Sequence, residues 1–245
     1  MSDLRALTMA RVGLRRTGNS IATRDLLDFQ LAHARARDAV HHPFDAMALG
    51  NEIEAIGLPR LIYESAARDR TEYLRRPDLG RRLSADSEQY LPFAGGPFDV
   101  VFIVGDGLSP QAVQTQAAPL LHLVTSRLDR ASWNIAPVII VQQARVAIGD
   151  EIGATVRASL AVMLIGERPG LSASDSMGVY LTWAPQLGRT DAERNCISNI
   201  RPDGLSIGAA TELLLLLMHA ARARCLSGVE LKVAVPGRIE TSGSY

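Results

Sequence analysis

Three short apolar runs in the second half of the chain determine the fold that we expect. They span residues 100–104, 137–141 and 161–165, and each is continuously apolar instead of alternating with polar residues. Strands that are covered by helices on both faces have this pattern. Helical stretches separate the runs, so strands and helices alternate along the chain. We therefore predict an α/β fold with a doubly wound parallel sheet.

Further elements and a change of texture indicate the domain organisation. A fourth strand at 179–183 and a long apolar helix at 206–225, with Ser206 as its N-cap, would complete the sheet domain. The sheet pattern begins after a Pro- and Gly-rich stretch at 92–97. The predicted division is a helical, partner-docking region at 1–95, a sheet domain at 96–232 and an irregular tail at 233–245.

The N-terminal region has a helical pattern. Apolar residues recur at helical spacing and would bury one face of a helix; they are Leu26, Phe29, Ala36 and Val40. Thr23 or Asp25 would cap this helix, and Pro43 would end it. A second helical stretch is predicted over 44–64. Paired arginines at 75–76 and 81–82 then flank Pro and Gly, which suits either an ordinary solvated loop or ion pairs with a protein partner.

Charge and composition exclude several classes of partner. The formal net charge is zero, with 26 basic and 26 acidic residues, so no overall field attracts nucleic acid or an anionic membrane. Only two cysteines are present, without metal or disulfide spacing. The N-terminus lacks a signal-peptide core, and the apolar run at 213–218 is too short to cross a bilayer. We expect a soluble, cytoplasmic protein.

The loops that follow the apolar runs are the places where a ligand would bind, because open parallel sheets bind ligands at the carboxyl ends of their strands. The first loop, at 105–110, is only a fragment of a dinucleotide fingerprint, since Pro110 stands where a third glycine is expected. The loop at 166–171 places Glu167 and Arg168 in a Gly-framed turn, which fits a ligand site or a surface ion pair. Cys196 fits a small buried hydrophobe better than a nucleophile.

Conventional catalytic and metal motifs are absent from the sequence. There is no GxSxG elbow, P-loop, HExxH helix or metal-spaced His/Cys cluster, and the five histidines are scattered over predicted helices. We therefore predict no catalytic residue and no metal site in this chain.

Six sequence segments, in order along the chain, resemble the light chain of ethanolamine ammonia-lyase. They are residues 11–14, 29–40, 106–109, 149–153, 166–171 (Gly-Glu-Arg-Pro-Gly-Leu) and 194–200 (Arg-Asn-Cys-Ile-Ser-Asn-Ile). The resemblance implies a Rossmann-like small subunit of a hetero-oligomer. Its large, barrel-shaped partner binds ethanolamine, which adenosylcobalamin-dependent radical chemistry converts to acetaldehyde and ammonia. The small chain covers the cobalamin from the side opposite to the barrel.

The resemblance also implies a cofactor site. The positions that match the family's cobalamin contacts are Val146, Glu167 and Cys196, in loops that would follow three successive strands. An aliphatic side chain could pack on corrin, a carboxylate could accept hydrogen bonds from its amides, and the cysteine could fill a small apolar gap. The sequence contains no Asp-x-His-x-x-Gly motif. We therefore expect the cofactor to keep its own dimethylbenzimidazole on cobalt.

Two other functions remain open from the residues alone. A nicotinamide-dependent oxidoreductase could use the same sheet, although Gln142 and Gln143 stand where an acidic ribose-binding residue is expected. A structural subunit without a ligand is the other alternative. Relatives with a longer N-terminal extension are packaged in a bacterial microcompartment, and for this chain that location stays open.

Overall fold

The computed structural model describes residues 12, 14, 16–91, 96–129 and 131–233. The strands are β1 (Arg16–Thr17), β2 (Ser20–Ile21), β3 (Arg60–Glu64), β4 (Phe98–Gly105), β5 (Val138–Gln142), β6 (Ala158–Gly166), β7 (Met177–Trp183) and β8 (Arg194–Ile200). The helices are α1 (Thr23–His41), α2 (Ala46–Ala55), α3 (Arg70–Arg75), α4 (Ala85–Tyr90), α5 (Pro110–Arg127), α6 (Ile148–Thr155) and α7 (Ile207–Arg224). The predicted α/β class is confirmed, with a six-stranded sheet that is mostly but not entirely parallel.

Six strands form one sheet in the order β3-β5-β4-β6-β7-β8. The first four are parallel, whereas β7 is antiparallel to both of its neighbours. The chain leaves β4 for β5 on one side and then crosses back to β6 on the other. This reversal creates a crevice between the carboxyl ends of β4 and β6, where open sheets bind ligands.

Helices cover both faces of the sheet, which explains the continuous apolar runs. Val100, Phe102 and Val104 pack on one face with the core of α5 and α7, whereas Val101 and Ile103 pack on the other face with α6. All five are fully buried. Each such side chain contributes roughly 1.5–3 kcal/mol through burial, so the centre of the sheet is a stable base for the loops at its edge.

Two helix ends decide between sequence predictions. Ser206 caps α7 as predicted, because its hydroxyl accepts a hydrogen bond from Ala209 N at 3.3 Å. The predicted caps of the first helix are wrong: α1 begins at Thr23 after Ala22 and has no side-chain cap.

The N-terminal region differs from its sequence prediction in two further respects. The stretch 44–64 is not one interrupted helix: α2 ends at Ala55, Gly57 adopts a φ of +81°, and Arg60–Glu64 pairs with β5 as an edge strand. The expected burial of the α1 stripe is also wrong, because Leu26 and Phe29 are each 42% exposed and only Ala39 of this helix is buried. The helix thus offers apolar surface that the described chain does not cover.

The division of the chain at residue 95 stays a prediction, and the predicted boundary stretch at 92–95 and most of the tail, 234–245, lie outside the described residues. Among the helices that the structure describes, none is long and apolar enough to cross a membrane.

Candidate functional site

The loops after β4 and β6 touch each other at the crevice. Leu108 N donates a hydrogen bond to Gly166 O at 2.9 Å. Gly107 adopts a φ of +57°, and a Cβ atom there would lie 2.1 Å from the same carbonyl oxygen. Only glycine fits this position, since it tolerates a positive φ and has no side chain. The close approach fixes Glu167, the next residue after β6, relative to the β4 loop.

A buried carboxylate joins the β4 loop to the β5 loop. Asp106 is 1% exposed; its Oδ1 accepts a hydrogen bond from Ala144 N at 2.9 Å, and its Oδ2 pairs with Arg70 Nη1 at 3.1 Å. Burial raises the pKa of Asp106 to about 6, although the amide of Ala144 and the Arg70 charge both oppose the shift. The pair therefore holds the loops in place at a substantial desolvation cost.

Tyr73 of α3 extends this network toward the β5 loop. Two guanidinium groups stack on its ring, that of Arg70 at 4.8 Å and that of Arg145 at 4.2 Å from the centroid, and its hydroxyl donates to Ala144 O at 3.0 Å. Burial raises the pKa of Tyr73, so its phenol is neutral. The stack fixes Arg145 and, through the backbone, its neighbour Val146.

Two neighbouring cavities open at this edge of the sheet. The first, which we name the Glu167 cavity, has a volume of 260 Å³ and is lined by Val146, Glu167 and Tyr180, among others. The second, the Arg81 cavity, has a volume of 500 Å³. Arg145, Val146 and Tyr180 line both. One ligand could therefore extend from the first cavity into the second.

The Glu167 carboxylate is held from one side. Its Oε2 accepts hydrogen bonds from Ser176 Oγ and from Asn199 N, the latter at 3.1 Å. Its other side lies against Gly178, where a Cβ atom would be 2.9 Å from Oε1. Among the described residues no group donates to Oε1. The carboxylate is thus oriented by protein groups and keeps one oxygen available to a ligand.

Val146 and Cys196 have different environments. Val146 is half-buried in the β5 loop and packs against the α6 side of the sheet. The prediction that Cys196 follows a strand is wrong. Cys196 lies within β8, directly opposite Tyr180 of β7. It does not line the Glu167 cavity, although its cross-strand partner Tyr180 does. Its role as a cofactor contact, like those of Val146 and Glu167, stays a prediction.

The chemistry of the Cys196–Tyr180 pair is that of neutral groups. Cys196 is exposed as a residue, but burial of its sulfur raises the pKa of the thiol, and Glu167 raises it further. Burial and the neighbouring thiol also raise the pKa of Tyr180. The thiol is therefore protonated at neutral pH and is not an activated nucleophile.

Sequence reasoning missed three residues of this site: Tyr73, Arg145 and Tyr180. Tyr180 is one residue of an apolar strand, and Tyr73 belongs to a short helix remote in sequence, so neither carries a local signal. Arg145 directly precedes Val146 in a loop already singled out, and an arginine at a strand end could have been recognised there.

A second buried ion pair lies beside the Arg81 cavity. Arg194 of β8 pairs with Asp150 in the first turn of α6, and both side chains are nearly inaccessible. Burial raises the pKa of Asp150, and the Arg194 charge opposes this shift. Because the pair joins α6 to β8, its role is structural. The described residues contain no cluster of His, Cys, Asp or Glu that could hold a metal ion.

The N-terminal turn of α5 is covered by protein. Ser109, which is fully buried, donates its hydroxyl hydrogen to Ser174 O at 2.8 Å, and Gln116 Nε2 donates to Asp175 O at 2.8 Å. In dinucleotide-binding sheets the pyrophosphate occupies this place. The covering segment argues against a nicotinamide dinucleotide.

Comparison with known proteins gives consistent matches. The family model described as ethanolamine ammonia-lyase light chain matches residues 1–232. The chain is 53% identical to the ethanolamine ammonia-lyase small subunit of Pseudomonas aeruginosa, over 99% of this chain and 92% of that protein. It is 52% identical to the protein of the same name from Azotobacter vinelandii, with the same coverage. The one from Ralstonia nicotianae is also 52% identical, over 94% of this chain and 87% of that protein.

Proposed function

This chain belongs to the ethanolamine ammonia-lyase light-chain family, and we propose that it is the small subunit of an adenosylcobalamin-dependent ethanolamine ammonia-lyase. Its curated relatives are named as small subunits of that lyase. In the complex it would form one wall of the cobalamin site, and the large subunit would bind ethanolamine. The cofactor supplies the radical that starts the conversion of ethanolamine to acetaldehyde and ammonia.

The observation that carries this proposal is the convergence of Val146 and Glu167 on one cavity at the reversal point of the sheet. The available oxygen of Glu167 can accept a hydrogen bond from a corrin amide, and the charge makes that bond stronger than a neutral one. Val146 offers an aliphatic surface to the corrin edge. Tyr180 lines the same cavity and is the cross-strand partner of Cys196.

The size of the site supports a shared function with a partner. Pockets that enclose drug-sized ligands have volumes of roughly 300–1,000 Å³, and a cobalamin is much larger than such ligands. The Glu167 cavity measures 260 Å³, so it can take only an edge of the corrin. Apart from any part that reaches the adjoining Arg81 cavity, the rest of the cofactor would lie against another chain. This requirement, together with the exposed apolar residues of α1, favours a hetero-oligomer with the large subunit.

Three finer statements belong to the same proposal. The sheet is Rossmann-like, with its reversal between β4 and β6 and with β7 and β8 added at one edge, where only β7 runs against the other strands. The cofactor binds with its own base on cobalt. The complex lies in the cytoplasm, either free or packaged in a bacterial microcompartment.

The proposal is tested by reassembly. The large subunit, this chain and their mixture are incubated with cobalamin, freed of unbound cofactor by gel filtration and compared by visible absorbance. We expect stable retention only in the mixture, and ammonia release from ethanolamine only there. The isolated chain should have no lyase activity. Equal retention and activity of the large subunit alone would contradict the proposal and leave this chain as a structural subunit.

A further inference from the structure

The Arg81 cavity has an excess of positive charge on its wall. Four arginines line it, and two of them are neutralised: Arg189 by Glu193, and Arg194 by Asp150 and Asp191. Arg81 and Arg145 have no carboxylate within salt-bridge distance among the residues that the structure describes. The cavity therefore favours an anionic ligand group.

Arg145 is already positioned to bind such a group. Its guanidinium lies 4.2 Å above the Tyr73 ring, and its Nη2 donates to Tyr73 O at 3.3 Å. Neither its Nε nor its Nη1 has a hydrogen-bond partner among the described residues. The Nε is buried, whereas the Nη1 is not. A side chain fixed by stacking loses little conformational entropy on binding, so its free donor is pre-organised for an acceptor.

A single ligand can occupy both cavities. Val146 and Tyr180 line both cavities, so a molecule seated beside Glu167 continues directly into the Arg81 cavity. In a cobalamin, the corrin side chains are neutral amides, and the permanently charged group of the periphery is the phosphodiester of the nucleotide arm. We propose that Arg81 and Arg145 bind this phosphodiester. The inference rests on the proposed function and adds a specific recognition site to it.

The test compares two corrinoids that differ in the nucleotide arm. Cyanocobalamin contains the phosphodiester, whereas dicyanocobinamide lacks the arm. Both are titrated by visible absorbance into the complex reassembled from the large subunit and wild-type chain, or chain carrying Arg81→Gln or Arg145→Gln. Arg68→Gln is the matched control, because this exposed arginine lies outside both cavities and its removal changes the net charge equally.

We expect each test variant to weaken cyanocobalamin binding by roughly 10- to 100-fold, the effect of a lost charge-assisted hydrogen bond, and to leave cobinamide binding unchanged. The Arg68 control should bind both corrinoids like wild type. Inorganic phosphate should not weaken cobinamide binding, because cobinamide lacks the phosphodiester. At high concentration, phosphate should weaken cyanocobalamin binding to the wild-type complex more than to the variant complexes.

Other outcomes overturn the inference in distinguishable ways. Equal weakening of both corrinoids would assign the arginines to loop structure, and unchanged affinity for both would remove them from the site. Weaker association with the large subunit at an unchanged preference for cyanocobalamin would assign them to a partner carboxylate. Because Arg81 is exposed and makes no side-chain bond in the described structure, its variant should fold even if that of Arg145 does not. Failure of the wild-type complex to bind either corrinoid would refute the proposed function itself.

Discussion

Replacing Glu167 by glutamine tests the cofactor site most directly, because the structure separates the two oxygens of this carboxylate. Oε2 is held by Ser176 Oγ and Asn199 N, whereas Oε1 has no donor among the described residues. In Glu167→Gln the amide oxygen can keep both protein bonds. The amide nitrogen would then replace the free oxygen. The loop should keep its conformation, but the atom offered to the cofactor changes from an acceptor to a donor.

The expected loss follows from this exchange. A hydrogen bond to a charged group contributes roughly 1.5–3 kcal/mol, which corresponds to about 10- to 100-fold in the cobalamin dissociation constant. If Glu167 were only a partner in a surface ion pair, its removal would lower the free energy of unfolding by about 0–1 kcal/mol and leave cofactor affinity unchanged. The measurement is the apparent cobalamin dissociation constant of the reassembled complex, with thermal melting as the check on folding.

Asp175→Asn is the matched control for this variant. Asp175 lies in the same loop as Glu167, between β6 and β7. It is partly exposed and pairs with Arg201 at 3.6 Å, but it does not line the Glu167 cavity. It removes the same charge from the same region. A normally folded Glu167→Gln complex with wild-type affinity would refute the assignment of Glu167. An equal loss in both variants would contradict a specific hydrogen bond from Glu167, because Asp175 can act on the site only through its charge or through Arg201, which binds Asn199.

Further variants test the framework. Asp106→Asn should lower the free energy of unfolding by roughly 3–5 kcal/mol in urea titrations, because it removes the buried carboxylate that pairs with the largely buried Arg70; replacing Arg70 with methionine as well should recover part of the loss. Gly107→Ala should lower the melting temperature sharply, whereas Gly208→Ala, whose Cβ would meet open space in α7, should not. Alanine at the four arginines of 75–82 should weaken co-purification with the large subunit, whereas the single Arg81→Gln change should not, because we assign Arg81 to the cofactor. Since Arg82 neutralises the buried Glu151, a variant that retains Arg82 separates docking from folding, and unchanged assembly would exclude docking through this segment.

The centre of the sheet could be predicted because its physics is local. β4, β5 and β6 are buried on both faces, so each appears in the sequence as an uninterrupted apolar run. The two edge strands carry no such signal. Arg60–Glu64 is predicted as helix because it follows a helical stretch. Arg194–Ile200 buries only every third residue and is rich in polar residues, so its sequence resembles a loop. The misplacement of Cys196 follows from the second of these errors.

The site was predictable only in part, for a similar reason. Strand-end loops can be located from the strands, so the region of Val146 and Glu167 follows from the sheet order. The contacts that orient these residues come from distant segments: Tyr73 from α3, and Ser176 and Asn199 from either side of the antiparallel addition. Pairings of this kind depend on tertiary packing, and no sequence periodicity encodes them.

Arg70 links the N-terminal helix α1 to the loops around the candidate site. Its Nε donates to Val40 O near the end of α1 at 2.7 Å, and its Nη1 donates to Gly107 O at 2.8 Å and pairs with Asp106. One side chain thus ties the exposed N-terminal helix to the loops at the reversal point. Desolvation lowers the pKa of Arg70 and raises that of Asp106, so both charged groups are held at a cost that packing around them must offset. Rigid loops would justify that cost. Glu167 and Arg145, which each keep a polar atom without a hydrogen-bond partner among the described residues, belong to the loops that Arg70 and Asp106 help to hold. A partner that docks on α1 would therefore meet the proposed cofactor wall already fixed in position.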